Sequence, residues 1–263
     1  MPSRGKDSYS IQSVENALNV LEALCDEEEE VRISRLSEKL GMNKTSVFRL
    51  LATFENRGYV EREAASGKYR LGLAAYEMGQ KFLSRMGLLK KAHPVMERLV
   101  RECNEAIYLA VRRNGDLLFL DVVDTPLQVK IVSLVGKRYP LTSSAAGKVL
   151  LAGAPPEEDP TPDKKRRTTA KPAADIPAEE LQEIRSSGFC IDFGNLGDGV
   201  ACVAVPLRNI HGEIAAGLCM IGPDFRMNPA QIEQDFLPRL KEAGEIISSK
   251  LGYLGPHMSK DLY

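Results

Sequence analysis

The stretch that decides the fold of the N-terminal part of the chain is GMNKTSVFRLLATF, residues 41–54. Asn43 is a suitable N-cap for a helix with one apolar face, and a shorter helix that Ser34 can cap ends just before it at Gly41. A link this short between two helices is typical of a helix-turn-helix. The apolar face of the second helix is formed by Val47, Leu50, Leu51 and Phe54.

The segments on both sides of this stretch extend the motif. A preceding helix, with Ser13 as its predicted N-cap, carries apolar residues at helical spacing. Two strand-like runs, 59–62 and 68–71, follow and flank a turn. This order predicts a winged helix-turn-helix over residues 10–72. The residues expected to face its core from the first helix are Val14, Ala17, Leu18, Leu21, Leu24 and Cys25.

The charge of this domain is local rather than global. The whole chain has a formal net charge of −1, which by itself indicates no nucleic-acid partner. Residues 32–70, however, hold nine basic and four acidic side chains, directly after five consecutive acids at 26–30. The resulting charge of +5 suits a DNA backbone, although charge alone equally allows a solvated surface.

Two groups of residues are candidate DNA contacts. With its apolar face inward, the helix after Asn43 presents its N-terminal residues to base edges in a major groove. Arginine can donate two hydrogen bonds to guanine, and hydroxyls can bind phosphate or bases. The hairpin would contact phosphates or the minor groove, unless its charges are only solvated. The candidates are Lys44, Thr45, Ser46, Phe48 and Arg49 on the helix, and Arg62, Lys68 and Arg70 on the hairpin.

A helical linker is expected over residues 73–88, between the two domains. One helix runs from 73 to about 86, and the next runs from 90 to 103 with Pro94 in its first turn. The apolar face of the first is a candidate dimer seam, and packing within one chain is the alternative. That face includes Leu73, Tyr76, Met78 and Leu83.

Residues 89–253 have the pattern of a second, α+β domain. Strands at 107–112 and 117–123 flank Asn114-Gly115, a strong hairpin signal, and a third strand is expected at 129–135. Residues 155–177 are rich in proline and charge, which predicts a loop. The remaining expected elements are helices at 143–152, 178–187 and 229–251 and strands at 189–193, 200–207 and 213–221.

Several blocks of residues, in this order and spacing, resemble the IclR family of transcription regulators across residues 10–253. The resemblance implies a GAF-like effector-binding domain, dimers or tetramers, and control of genes for uptake or breakdown of small metabolites. It rests on residues 41–54 with Arg57-Gly58-Tyr59-Val60, on residues 140–148, on Gly188-Phe189 with Asp192, and on Gly222-Pro223.

The resemblance also implies an effector site. Small residues at 143–148 lead into a predicted helix start, where free backbone amides favour an anion. By similarity to the family, the carboxylate of a small organic acid binds at Ala145 and Ala146, and Asp192, Cys202 and Cys219 line the pocket. Ile221 departs from the family, which often has a small hydroxyl there. Plain core packing is an equal alternative for the cysteines, and a simple turn role remains for Asp192.

Other features narrow the function. No apolar stretch suits a signal peptide or a membrane span, so a cytoplasmic protein is expected. Five cysteines and three histidines lack the spacing of a disulfide framework or a metal site, and no cofactor is expected. A ligand-responsive regulator that binds operator DNA is the leading interpretation. A cysteine-dependent enzyme lacks a recognisable catalytic histidine, and a ligand-binding protein without DNA contact leaves the basic helix unexplained.

Overall fold

The computed structural model describes residues 10–27, 29–153 and 176–255. These residues form two compact units, which divide between residues 86 and 87. Most of the loop expected at 155–177 lies outside the described residues. No helix among the described residues combines the length and apolarity needed to cross a membrane.

The first unit is a winged helix-turn-helix, as predicted. Three helices pack around one apolar cluster, and an antiparallel hairpin follows them. The elements are α1 (Gln12–Cys25), α2 (Ile33–Leu40), α3 (Lys44–Asn56), β1 (Val60–Arg62), β2 (Tyr69–Leu71) and α4 (Leu73–Arg85).

The turn between α2 and α3 forms as the sequence indicates. Gly41 ends α2 in the left-handed region at φ +63°, which glycine adopts without steric cost. Asn43 caps α3, because its Oδ1 accepts the Ser46 N–H at 2.8 Å. Val47 and Leu51 are fully buried against α1 and α2, which fixes the opposite side of α3 outward.

Three predictions for α1 and α2 were wrong. Neither Ser13 nor Ser34 caps a helix, since the helices begin earlier, after Ile11 and Arg32, without a side-chain cap. The expected core face of α1 is also displaced: Val14 and Leu18 are each 51% exposed, because only the C-terminal turns of α1 pack on the other helices. The residues of α1 that are buried are Val20, Ala23 and Leu24.

The second unit is built on a six-stranded antiparallel sheet with the order β5-β4-β3-β8-β7-β6. Its strands are β3 (Ala106–Arg113), β4 (Asp116–Val123), β5 (Arg138–Pro140), β6 (Cys190–Phe193), β7 (Val200–Arg208) and β8 (Ile214–Pro223). Its helices are α5 (Gly87–Cys103), α6 (Ala145–Ala152) after a 3-10 turn at Leu141–Ser143, α7 (Ala178–Ser187), the short α8 (Pro229–Gln231) and α9 (Leu237–Lys250), which a π turn at Ile232–Phe236 precedes.

Helices cover both faces of this sheet, so side chains that alternate along one strand enter two different layers. Ile107 and Val203 face the large apolar cluster beneath α5 and α9. Tyr108 and Cys202, each next in the chain to one of these, face the second cluster beneath α6. The sheet therefore separates two largely apolar layers: the layer beneath α5 and α9 includes Cys103, and the α6 layer includes Tyr108 and three thiols.

Residues 129–135 do not form the predicted strand, and Pro94 does not lie in a first turn. Arg226 binds buried Glu105 in two contacts, one of 3.0 Å, and also donates to the Val129 carbonyl at 2.9 Å. These contacts of Arg226, together with the burial of Leu134 in the α6 layer, hold residues 129–135 in an irregular conformation. The following residues, β5, pair with β4 instead. Pro94 is inside α5, because that helix begins at Gly87.

Gly147→Ala should destabilise the second unit. Replacing an ordinary helical glycine by alanine usually stabilises a protein. At residue 147, however, the added Cβ would lie 2.0 Å from the Leu141 carbonyl oxygen. We expect a loss of about 1–3 kcal/mol in the free energy of unfolding, measured by urea denaturation. Gly79→Ala in α4, where a Cβ meets nothing within 4 Å, is the matched control and should gain about 0.5–1 kcal/mol. Equal effects of the two variants would contradict the close packing.

Candidate functional site

The outward face of α3 carries the helix residues that the sequence indicates as DNA contacts. It presents basic, hydroxyl and aromatic groups within two turns of a capped N-terminus. Phe48 keeps 47% of its surface exposed, although a phenyl ring is normally buried. Such a face suits a major groove, where apolar groups can meet thymine methyls and arginine can meet guanine. Lys44, Thr45, Phe48 and Arg49 are exposed, and Ser46 is partly exposed.

The three hairpin candidates differ in their surroundings. The Arg62 guanidinium lies over the Tyr69 ring, 5.7 Å from its centroid, and stays exposed near the tip of the hairpin. Arg70 pairs instead with Glu61 at 3.0 Å and with Glu30 at 3.5 Å. Arg62 and the partly exposed Lys68 are therefore better placed to contact a phosphate than Arg70, whose charge is compensated.

The acidic run before α2 has a structural role that the sequence did not reveal. Glu27 accepts hydrogen bonds from Lys39 at 3.1 Å and Arg35 at 2.7 Å, and these contacts lower the pKa of its carboxyl group. Together with Glu30 and Arg70, these pairs neutralise basic residues away from α3. A cleft of about 470 Å³ adjoins them, and its charged lining combines three glutamates with Lys68 and Arg70.

The helix start predicted as an anion site is the first turn of α6. Ser144 caps it by accepting the Gly147 N–H at 3.3 Å, and both Ala145 and Ala146 are fully buried. The small side chains here have a packing reason, because the backbone at Gly147 lies directly against Leu141.

Asp192 lies in β6, paired with Cys202, and faces this helix start rather than forming a turn. Its Oδ2 accepts the Ala145 N–H, and its Oδ1 has no hydrogen bond of normal geometry although the Asn195 backbone is near. Burial raises the pKa of Asp192 to about 6, against the opposing effects of the Ala145 amide and Lys148. The chain thus already holds a carboxylate at one of the two amides assigned to the effector.

Cys202 and Cys219 lie diagonally across β7 and β8 and are completely buried. A hydrogen bond with Cys219, followed by burial, raises the pKa of Cys202 well above that of a free thiol, and Cys219 Sγ donates to the Tyr108 carbonyl at 3.6 Å. Ile221 belongs to the same cluster. The structure therefore brings Ala145, Ala146, Asp192, Cys202 and Cys219 into one layer.

This layer does not suit cysteine catalysis. A nucleophilic thiol needs a lowered pKa or an adjacent base. Among the described histidines, His93 of α5 pairs with Asp121 at 2.7 Å, and His211 lies in the exposed turn between β7 and β8. Neither hydrogen-bonds a thiol, so the described residues hold no thiol–imidazole pair.

Comparison with known proteins agrees with this architecture. The profile "IclR helix-turn-helix domain" matches residues 13–64, and "Bacterial transcriptional regulator IclR C-terminal" matches residues 80–249. The chain belongs to the IclR family. It is a DNA-binding transcription regulator and not an enzyme.

Individual relatives share most of this regulator's length. It is 32% identical to the HTH-type transcriptional regulator KdgR of Escherichia coli over 255 residues, covering 94% of this chain and 95% of KdgR. It is 32% identical to KipR of Bacillus subtilis, covering 84% and 90%. One similar solved structure is Thermotoga maritima IclR, with a TM-score of 0.71 and 26% sequence identity, covering 93% of this chain and 100% of that one. Another is a Microbacterium hydrocarbonoxydans IclR homologue complexed with 4-hydroxybenzoate, with a TM-score of 0.73 and 24% sequence identity, covering 91% of this chain and 98% of that one.

Sequence reasoning missed several residues of the α6 layer in this IclR-family chain. Tyr108 and Cys190 belong to the same cluster, and Lys148 on α6 pairs with Glu180 of α7 at 2.6 Å. The alternation along β3 and β6 places Tyr108 and Cys190 on one face of each strand, but alternation alone does not say which helix covers that face.

Replacement of Asp192 by asparagine should remove a pH dependence of stability. The pKa of Asp192 is about 6 in the fold and about 4 in an unfolded chain, so well below pH 4 both states are protonated and the group has no effect. At pH 4 about half of the unfolded chains are already ionised at this residue, and as the pH rises from 4 to 7 the native state loses about 2 kcal/mol relative to the unfolded state. The free energy of unfolding of Asp192→Asn, relative to that of the wild type, should therefore be higher at pH 7 than at pH 4 by about that amount. Urea denaturation at both pH values measures it. The exposed loop residue Asp198, changed to asparagine, is the control. Parallel pH profiles for the wild type and Asp192→Asn would rule out the raised pKa.

Proposed function

We propose that this IclR-family regulator binds a two-fold symmetric operator as a dimer or tetramer and senses a small organic acid through the first turn of α6. Donation from the buried Ala145 amide to a carboxylate is the observation that carries the sensing half of the proposal. Because the target is genomic DNA, the protein would act in the cytoplasm.

Recognition of DNA would combine α3 and the hairpin. Arg49 and Phe48 share the outward face of α3 with Lys44, Thr45 and Ser46, so this helix is the reader of base edges. Arg62 and Lys68 near the hairpin tip would bind phosphates, which position the protein without specifying sequence. Arg70 would contribute less, because Glu61 and Glu30 compensate its charge.

Two copies of this small domain are needed to read two half-sites one helical turn apart. The α4 helix supports assembly through its apolar surface. None of its residues is buried, and Leu73, Tyr76, Met78 and Phe82 are each at least 58% exposed. Apolar surface of this extent on one helix is typical of an interface, and a second copy of α4 is the partner we propose.

An incoming acid would compete with Asp192. The Ala145 amide can donate to one carboxylate at a time, and two carboxylates side by side repel one another unless one is protonated. An effector carboxylate would replace that of Asp192, or share a proton with it. Either outcome changes the contact between α6 and β6, and an effector that binds one arrangement more tightly shifts the population toward it.

Selection of bound duplexes from a random DNA library tests the DNA half. We expect a two-fold symmetric operator, affinity that falls steeply with salt, and a stoichiometry of two or four chains per duplex. Arg49→Ala should then lose about 1–3 kcal/mol of operator binding, whereas Arg70→Ala should lose less because Arg70 is already paired. Fluorescence anisotropy measures both, with circular dichroism to confirm folding. An operator affinity unchanged in Arg49→Ala would remove this residue from the interface.

Ala145→Leu should abolish the response to acid while leaving operator binding intact, because a bulky side chain fills the space beside the amide. Ala152→Leu, at the other end of α6 and also buried, controls for overpacking. The probes are small carboxylic acids, beginning with 4-hydroxybenzoate, which a protein of the same fold binds. Calorimetry gives their affinity, and anisotropy gives operator release or capture. The proposed site is wrong if Ala145→Leu binds an active acid as tightly as the wild type does.

A further inference from the structure

Two buried polar side chains in the α6 layer have an oxygen without a hydrogen-bond partner. Within the described residues, the unpartnered buried side-chain oxygens are Tyr108 Oη, Thr142 Oγ1 and Asp192 Oδ1. Tyr108 is 0% exposed and Asp192 is 6% exposed. A buried polar atom left unpaired costs free energy, so its retention points to a partner that the chain itself does not supply.

The sheet register places these two groups on opposite sides of the cysteine pair. Tyr108 of β3 is opposite Cys219 of β8, and Asp192 of β6 is opposite Cys202 of β7. Strands β8 and β7 therefore separate the two groups, which puts about 14 Å between the backbones of β3 and β6. A molecule in this layer could meet the Asp192 and Ala145 end with one group and Tyr108 with another.

The Tyr108 hydroxyl is not needed for the packing of its ring. That ring meets the Phe119 ring edge to face at 5.5 Å, and Phe119 meets Tyr139 in the same way at 5.7 Å. A phenylalanine at position 108 would keep the contact with Phe119. Burial raises the pKa of Tyr108 to about 12, so the hydroxyl is neutral and can donate or accept a hydrogen bond. The Leu134 backbone is near it but forms no hydrogen bond of normal geometry.

We propose that the Tyr108 hydroxyl is a specificity-determining contact that binds a second oxygen of the effector, at the end away from its carboxylate. The inference rests on the proposed function, because it takes the carboxylate end to be at Ala145. The ligand class is then a carboxylic acid with a distal hydroxyl or carbonyl oxygen. Its middle part lies over the thiols of Cys202 and Cys219, which behave as small apolar groups. Thr142, whose hydroxyl is also unpartnered, is the second candidate contact.

Tyr108→Phe tests this assignment in the full-length protein with two readouts. The first is the thermal unfolding midpoint of the protein without ligand, which should stay the same or rise by about 2–4 °C because an unpaired buried hydroxyl is removed. A fall in the midpoint would overturn the proposal, since it would show that the hydroxyl stabilises the fold. Tyr139→Phe, in the same row of rings, is the matched control.

The second readout is the affinity for two pairs of acids that differ by one hydroxyl: 4-hydroxybenzoate with benzoate, and 4-hydroxybutanoate with butanoate. In the wild type, the hydroxylated member of at least one pair should bind with an affinity at least about tenfold higher than that of its partner. Tyr108→Phe should abolish that preference without weakening the binding of the unhydroxylated acid, and Tyr139→Phe should retain it. Thr142→Val should reduce the preference.

The outcomes separate this inference from the proposed function. If the wild type binds acids without preference for the hydroxyl, or if Tyr108→Phe keeps the preference, the role of Tyr108 is wrong while acid sensing stands. If Tyr108→Phe weakens both members of a pair equally, the residue acts through packing and the inference fails. If the wild type binds none of the four acids, both the acid class and the inference fail.

Discussion

The close approach of α6 to the chain around it is the constraint on which the second unit depends. The backbone at Gly147 rests on the Leu141 carbonyl, and the Ala145 amide donates to Asp192. A Cβ at residue 147 would lie 2.0 Å from that carbonyl oxygen, so this position in the first turn of α6 requires glycine. The approach also excludes water from Asp192, which raises the pKa of this residue. The close approach of α6 therefore accounts both for the glycine at 147 and for the raised pKa of Asp192.

The sheet separates the two layers of side chains that pack on its opposite faces in this unit. Ile107 and Val203 point into the large apolar cluster beneath α5 and α9, which supplies apolar burial. Tyr108 and Cys202 point into the α6 layer, where unpaired oxygens and a buried carboxylate are retained. Because one layer stabilises the domain, the other can hold groups that cost stability.

Electrostatics organise the first unit in a comparable way. The acids before α2 pair with Arg35, Lys39 and Arg70, so these basic groups are compensated inside the unit. The exposed face of α3 and the tip of the hairpin keep their positive charge for a partner. The charge of +5 counted over residues 32–70 therefore overstates the uncompensated positive charge of this unit, because acids at 26–30 that pair with its basic residues lie just outside that range.

Local signals in the sequence determined the elements and the family. Gly41 and Asn43 fixed the turn before α3, and Asn114-Gly115 fixed the hairpin of β3 and β4, because these residues act through their own backbone conformation or nearest neighbours. The family resemblance placed Ala145, Asp192 and the two cysteines in one region, and the structure brings them together in one layer.

Only the tertiary structure decided the features that depend on residues far apart in the chain. Residues 129–135 have the composition of a strand, yet the distant Arg226 holds Val129 and the segment stays irregular. Asp192 meets Ala145, 47 residues away, and so occupies the amide that sequence reasoning left open for a ligand. Tyr108 resembles any tyrosine in a strand until its hydroxyl is found buried without a partner. Periodicity assigns a side chain to a face, but the opposing element sets its burial, its charge and its hydrogen bonds.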